Sequence, residues 1–168
     1  MNALRRCAPG LVLFALLAIG LPVPGWTADT SSPRAAAKPE DPDYATAVKE
    51  IKAARFAAAI PLLERVVARD ATNADAYNWL GYAVRRNGDP ARAVPLYEKA
   101  LAIDPKHRGA HEYIGEAYLV LDDLPKARVH LARLDSLCFF SCSEYRDLKK
   151  AVEAYEKSGG KIKPTGTD

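Results

Sequence analysis

The chain is 168 residues long, 49% apolar and 27% charged, with 10 glycines and 12 prolines, a balance that fits one globular domain with flanking segments and excludes a fibrous or wholly disordered chain. Lys and Arg number 24 against 21 Asp and Glu; setting Arg5 and Arg6 aside with the leading segment leaves 22 against 21, a charge of about +1. So small an excess removes the main argument for a nucleic-acid partner, because phosphate binding draws on a basic surplus gathered on one surface.

Residues 1–28 open with Arg5 and Arg6, continue with an apolar run from Leu11 to Leu21 interrupted only by glycine, and end with Pro22, Pro24 and Gly25. That order is the pattern of a cleaved secretory signal, and the run is shorter than the roughly 18 apolar residues that span a bilayer. Removal after Ala28 or Gly25 would deliver the chain to a periplasm-like space, with no stable membrane anchor. Cys7 and Ala8 follow the arginines where a twin-arginine signal has Phe and Leu, and the arginines precede Cys7 where a lipidated cysteine needs small and aliphatic residues. Residues 29–40 are rich in Ser, Pro and Ala without a large apolar residue; they bury too little to offset the entropy of ordering and read as a flexible linker.

An internal repeat follows. Residues 74–107 and 108–141 align without a gap at a spacing of 34, matching Leu80 with Ile114, Gly81 with Gly115, Ala83 with Ala117, Ala93 with Ala127 and Tyr97 with Leu131. Tyr77, Leu80, Gly81 and Val84 give one apolar helical face. Asn87 and Gly88 break it, and Asp89 with Pro90 is a cap and first turn for a second helix, whose inner stripe is Ala93, Leu96, Tyr97 and Ala100. Gly81 and Ala93 would let the two helices approach closely, with Tyr97 and Trp79 beside them. Pro95 lies inside the second helix, near enough to its start to bend rather than break it.

These residues resemble a tetratricopeptide repeat, whose 34-residue helix-turn-helix pattern they match at Leu80, Gly81, Ala93, Tyr97, Ala100 and Pro105. The next copy has Phe139 in place of the closing proline, so its second helix is expected to end differently. An upstream copy, 41–73, keeps Ala59, Leu63 and Val66, has Ala71 in place of that proline, and its first helix reads as displaced by one residue. The resemblance implies an all-α fold: a right-handed α-solenoid over 41–157, with repeats 41–73, 74–107 and 108–141, then a capping helix over 142–157 and a mobile tail over 158–168. Ser141 and Glu144 read as the capping box of that last helix.

Cys138 and Cys142 are the two cysteines left after the leader is removed. In an oxidising compartment an even pair reads as a disulfide pinning the cap to the stack. The alternative is a thiol pair for redox or metal chemistry, against which stands the Cys-x-x-x-Cys spacing. His107 and His111 could share a helix face but lack a third ligand, so no metal and no cofactor is expected, and His130 reads as a surface residue. No serine or cysteine has a nucleophile motif or an assignable base, so no enzyme activity is expected.

The resemblance also implies a concave groove lined by the first helix of each repeat. Its positions are Tyr44, Val48 and Ile51, then Asn78, Tyr82, Arg85 and Arg86, then Glu112, Glu116 and Leu119. The chaperone-binding members grip a terminal carboxylate with a clamp of Lys, Asn and Arg; Tyr44, Val48, Trp79, Gly109 and Tyr113 stand in those places, which disfavours that ligand. The expected function is a non-catalytic scaffold of the bacterial envelope that binds a protein or peptide partner. Its rivals are an assembly factor for an exported redox or metal enzyme, using Cys138 and Cys142, and a self-associating module that dimerises through an apolar edge beside the first repeat.

Overall fold

The computed structural model describes residues 41–161, 163 and 164. The expected leader and linker lie outside the described residues, as does the end of the tail. Seven helices make up the described chain: α1 (Pro42–Lys52), α2 (Phe56–Arg69), α3 (Ala74–Arg86), α4 (Pro90–Ile103), α5 (Arg108–Val120), α6 (Leu124–Leu137) and α7 (Ser143–Lys157). Each packs on its neighbour in sequence, and α7 also crosses α5, so the architecture is an all-α repeat solenoid closed by a cap.

The repeat is stricter than the sequence pattern. The starts of α2, α4 and α6 fall at 56, 90 and 124 and their ends at 69, 103 and 137, so the second helix of the third repeat ends in register despite Phe139. The first helices end at 52, 86 and 120; the first-repeat helix starts late but is not displaced. Between the paired helices, one residue at the same repeat position is left-handed every time: Ala54 (φ 57), Gly88 (φ 98) and Asp122 (φ 62). The tight turn needs a positive φ, which glycine accepts without the steric penalty that Ala and Asp carry.

Caps and salt links hold the ends. Asp41, Asn73 and His107 accept backbone N–H bonds at the starts of α1, α3 and α5, as Asp89 and Asp123 do for α4 and α6. Arg69 reaches Asp41 and Asp43, and Arg65 reaches Asp43; these two guanidiniums hold the Asp43 carboxyl down at about 2. Pro61 and Pro95 lie within α2 and α4 without ending them.

The core is a continuous line of small and large side chains. Ala47, Gly81 and Gly115 mark its tightest crossings. A Cβ on Gly81 would stand 2.7 Å from the Tyr97 ring, and one on Gly115 would stand 2.6 Å from Leu148 of α7. Tyr97 and Leu148 are wholly buried, so α7 occupies the place against α5 that a further repeat would take.

The junction into α7 differs from expectation. Ser141 is left-handed (φ 64), and the N-cap of α7 is Cys142, which makes no side-chain cap bond. The capping box of Ser141 and Glu144 therefore does not form; Ser143 Oγ bonds the Glu144 carboxylate instead. Cys138 and Cys142 sit at the two ends of the turn with their Cα atoms 5.5 Å apart, within disulfide geometry. In the tail, Lys163 Nζ reaches the Asp122 carboxylate at 2.7 Å and the Val120 carbonyl at 3.1 Å.

Candidate functional site: the inner face of α1, α3 and α5

The first helices of the repeats touch one another along one side of the stack. Residues 34 apart form rows on that side: Tyr44, Asn78 and Glu112; Val48, Tyr82 and Glu116; Ile51, Arg85 and Leu119. Ile51, Asn78, Tyr82, Arg85, Glu112, Glu116 and Leu119 are buried, whereas Tyr44, Val48 and Arg86 are half-buried. The expected partner residues are thus mostly the floor of the face and not its rim. Leu119 is fully enclosed, because α7 lies across α5, and it belongs to the core.

A charged group sits within that floor. Arg85 Nη2 lies 2.7 Å from Glu116 Oε2, with the two side chains only 3% and 2% exposed. The guanidinium also stands over the rings of Tyr82 and Tyr113, 5.6 and 5.8 Å from their centroids. The contact is ionic and not an aligned hydrogen bond: Arg85 Nε and Nη2, Glu116 Oε2 and the neighbouring Tyr97 hydroxyl have no hydrogen-bond partner. Burial raises the Glu116 carboxyl and Arg85 opposes the rise. The Glu112 carboxyl is pushed up to about 8, first by burial and then by Glu116, Asp147 and Glu144. At neutral pH it is therefore protonated and offers an O–H donor. Asn78, one repeat earlier in the same row, has an unpartnered buried Oδ1 acceptor.

Beside this polar floor is an aromatic cavity of about 390 Å³, lined by Ile51, Phe56, Trp79, Tyr82, Arg86 and Tyr113. Tyr82 is its hub, with ring centroids 4.9 Å from Tyr113, 5.7 Å from Trp79 and 6.0 Å from Phe56. Arg86 donates to the Tyr82 hydroxyl at 2.7 Å and lies 4.8 Å above the Phe56 ring. Phe56, Trp79 and Tyr113 were not among the expected contacts. Trp79 and Tyr113 carry a signal that could have found them, since they are aromatic residues 34 apart, each one step beyond the Asn78–Glu112 row.

The histidines are placed differently from expectation. His107 caps α5 and contacts Asp75 at 3.0 Å. His111 and His130 meet Nδ1 to Nδ1 at 3.0 Å, and His130 stacks on Tyr118, so His130 is a half-buried packing residue and not a surface one. Burial, with His111 adjacent, lowers His130 to about 4. Among the described residues, no group of three or more His, Cys, Asp or Glu side chains is arranged to hold a metal ion.

Two family models, both described as tetratricopeptide repeat, match residues 44–108 and 84–152. The chain belongs to the tetratricopeptide repeat family. No curated protein matches it. In fold this tetratricopeptide protein is similar to the Yersinia enterocolitica type III secretion translocator chaperone SycD, at 16% identity over 70% of this chain and 83% of that one, with a TM-score of 0.64. PcrH in complex with the chaperone-binding region of PopD is similar at 18% identity over 70% and 90%, with a TM-score of 0.63. MamA AMB-1 is similar at 21% identity and a TM-score of 0.54; the match takes in 57% of this chain and 56% of that one, so the chain spans just over half the MamA length. At these identities the likeness is one of fold.

Proposed function

We propose that this protein is a non-catalytic interaction scaffold of the bacterial envelope, exported by residues 1–28, that binds a peptide or helix of a partner protein along the inner face of α1, α3 and α5. The aromatic cavity carries the reading. At about 390 Å³ it falls within the range of pockets that seat a ligand group, and its walls are Trp, Tyr, Phe and Arg, the residue types that dominate binding hot spots. An apolar side chain of the partner packs into the cavity against Trp79 and Tyr82. Tyr44, Val48 and Arg86 form the accessible rim. PcrH, similar in fold, is recorded in complex with a region of PopD, which supports a peptide-binding role for this architecture. No described helix is long and apolar enough to cross a membrane.

Cys138 and Cys142 are read as an oxidised pair, which fits an oxidising envelope and leaves no thiol for redox or metal handling. Intact mass of the protein from its full-length gene, with and without reductant and alkylation, tests leader removal and the bond together. The binding reading is tested by selecting a random peptide library against the purified protein. Peptides are expected whose binding falls at least tenfold in W79A while helicity is retained; selection that returns no peptide, or peptides indifferent to W79A, overturns it.

A further inference from the structure

The wall of the aromatic cavity holds charges that its rings do not explain. Lys52 and Ala54 line it together with Arg86 and the aromatic side chains, and among the described residues no Asp or Glu does. Two cations and no acid therefore meet at an apolar recess. Glu50, the acid nearest to Lys52 along α1, is taken by Arg55, whose Nη2 donates to Glu50 Oε1 at 2.9 Å. Lys52 itself is exposed and has no ion-pair or hydrogen-bond partner among the described residues. Arg86 is already engaged: it donates to the Tyr82 hydroxyl at 2.7 Å and covers the Phe56 ring, so it shapes the recess and adds to its positive charge.

The helix ends do not cancel that charge. Lys52 and Arg86 are the last residues of α1 and α3, and a helix C-terminus carries only roughly half a negative charge. At α1 the carbonyls of Lys49, Glu50 and Ile51 also accept bonds from the N–H groups of Ala53, Ala54 and Arg55. A positive excess remains, and it decides between ligands. An aromatic box alone suits a quaternary or methylated ammonium; with Lys52 and Arg86 in the wall such a cation is repelled and a carboxylate is attracted. The Trp79 indole adds to this, since its N–H is a donor only and is neither enclosed nor hydrogen-bonded among the described residues. A cavity of about 150 Å³ accepts a benzene, so about 390 Å³ has room for one aromatic side chain and part of the residue beside it.

We propose that the cavity anchors an aromatic side chain of the partner whose adjacent residue is Asp or Glu, with the ring packed on Trp79 and Tyr82 and the carboxylate meeting Lys52. The inference rests on the inner face being a peptide site and names what that site selects. The rings supply the contact area on which affinity depends. Lys52 supplies the sign: an exposed ion pair adds little affinity, but a like charge at the same place excludes the wrong partner. Lys52 is thus a specificity residue and not an anchor.

The test is a pair of selections from a random linear peptide library, one against the wild type and one against K52E, both purified from the full-length gene, followed by fluorescence-anisotropy titration of the synthesised peptides. The wild type is expected to return Phe, Tyr or Trp beside Asp or Glu. Binding of those peptides should fall at least tenfold in W79A and about two- to fivefold in K52A, and the K52A difference should vanish in high salt. K52E should return the same aromatic anchor beside Lys or Arg, with unchanged helical circular dichroism because Lys52 is exposed. Peptides that need Trp79 but carry no acid beside the anchor, or that bind K52E as tightly as the wild type, overturn this inference and leave the peptide site standing. Wild-type peptides with Lys or Arg beside the anchor overturn it as well. Peptides indifferent to W79A, or no peptide at all, overturn the peptide site and this inference with it.

Discussion

The inner face of α3 and α5 and the outer end of α6 place their side chains in opposite senses. On the inside, Arg85, Glu112 and Glu116 are charged or ionisable types held out of water. On the outside, Phe139 and Phe140 are apolar types held in it. The first arrangement is costly unless its members satisfy one another, and the second is costly only to solubility. Substitutions inside should therefore change folding stability, whereas substitutions outside should leave folding almost untouched.

The largest expected effect comes from breaking the inner ion pair. Arg85→Ala leaves Glu116 buried without its partner and should destabilise by about 3–5 kcal/mol in urea unfolding, while the paired replacement Arg85→Met with Glu116→Leu should recover most of that loss. A single variant no worse than the double would show that the pair contributes nothing.

Glu112 comes next. Its folded-state pKa, about 8, lies above the ordinary carboxyl value of 4.5, so the folded chain holds a proton that the unfolded chain releases. Stability from this group is full below the unfolded value and declines as pH rises from there through about 8. Glu112→Gln keeps the shape and removes the decline, and should stabilise the protein by roughly 2 kcal/mol near neutrality. Thermal unfolding across that range should be flatter in the variant; an unchanged profile would mean that Glu112 is ionised in the fold.

His130 shows the reverse slope. Its folded value of about 4 lies below the ordinary imidazole value of 6.5, so protonation favours the unfolded chain and stability falls as pH drops through that interval. In His130→Phe the melting temperature should depend less steeply on pH between those values, and an equal slope would transfer the effect to other groups.

The smallest effect on stability should be that of F139S/F140S, within about 0.5 kcal/mol of wild type as expected for exposed positions. Set against Arg85→Ala, that near-neutrality is the sharpest form of the contrast between the two faces.

Much of the stack was legible because its determinants are local and repeat. Gly81 faces Tyr97 where a Cβ would clash, and the alternation of small and aromatic residues at a spacing of 34 announces that contact. The Asp89 and Asn87–Gly88 punctuation likewise marks the helix ends. The candidate site was less legible. Arg85 and Glu116 are residue types that ordinarily face solvent, and their burial follows from the approach of α5 and the crossing of α7, which no residue type along α3 encodes. Ser141 and Glu144 fit a capping box in spacing, yet Ser141 is left-handed in the folded turn and Cys142 takes the N-cap position. His130 looked external because its partner, His111, lies on a different helix. Phe139 read only as the replacement of a closing proline, since exposure is a property of the folded turn and not of the residue.

The left-handed residue at 54, 88 and 122 gives the molecule a quantised length. Every interface between repeats is set by that turn and by helices of fixed span, so the natural unit of change is a whole block of 34 residues. Duplicating Asn73–Lys106 would add two helices and lengthen the binding face by one row while leaving α7 seated on the same final repeat. A single-residue insertion inside α5 ahead of Glu116 would turn the rest of that helix by about 100° and carry Glu116 and Leu119 off their partners. In this chain, growth by evolution or by design proceeds in whole steps, with the cap and its phenylalanine turn carried along unchanged.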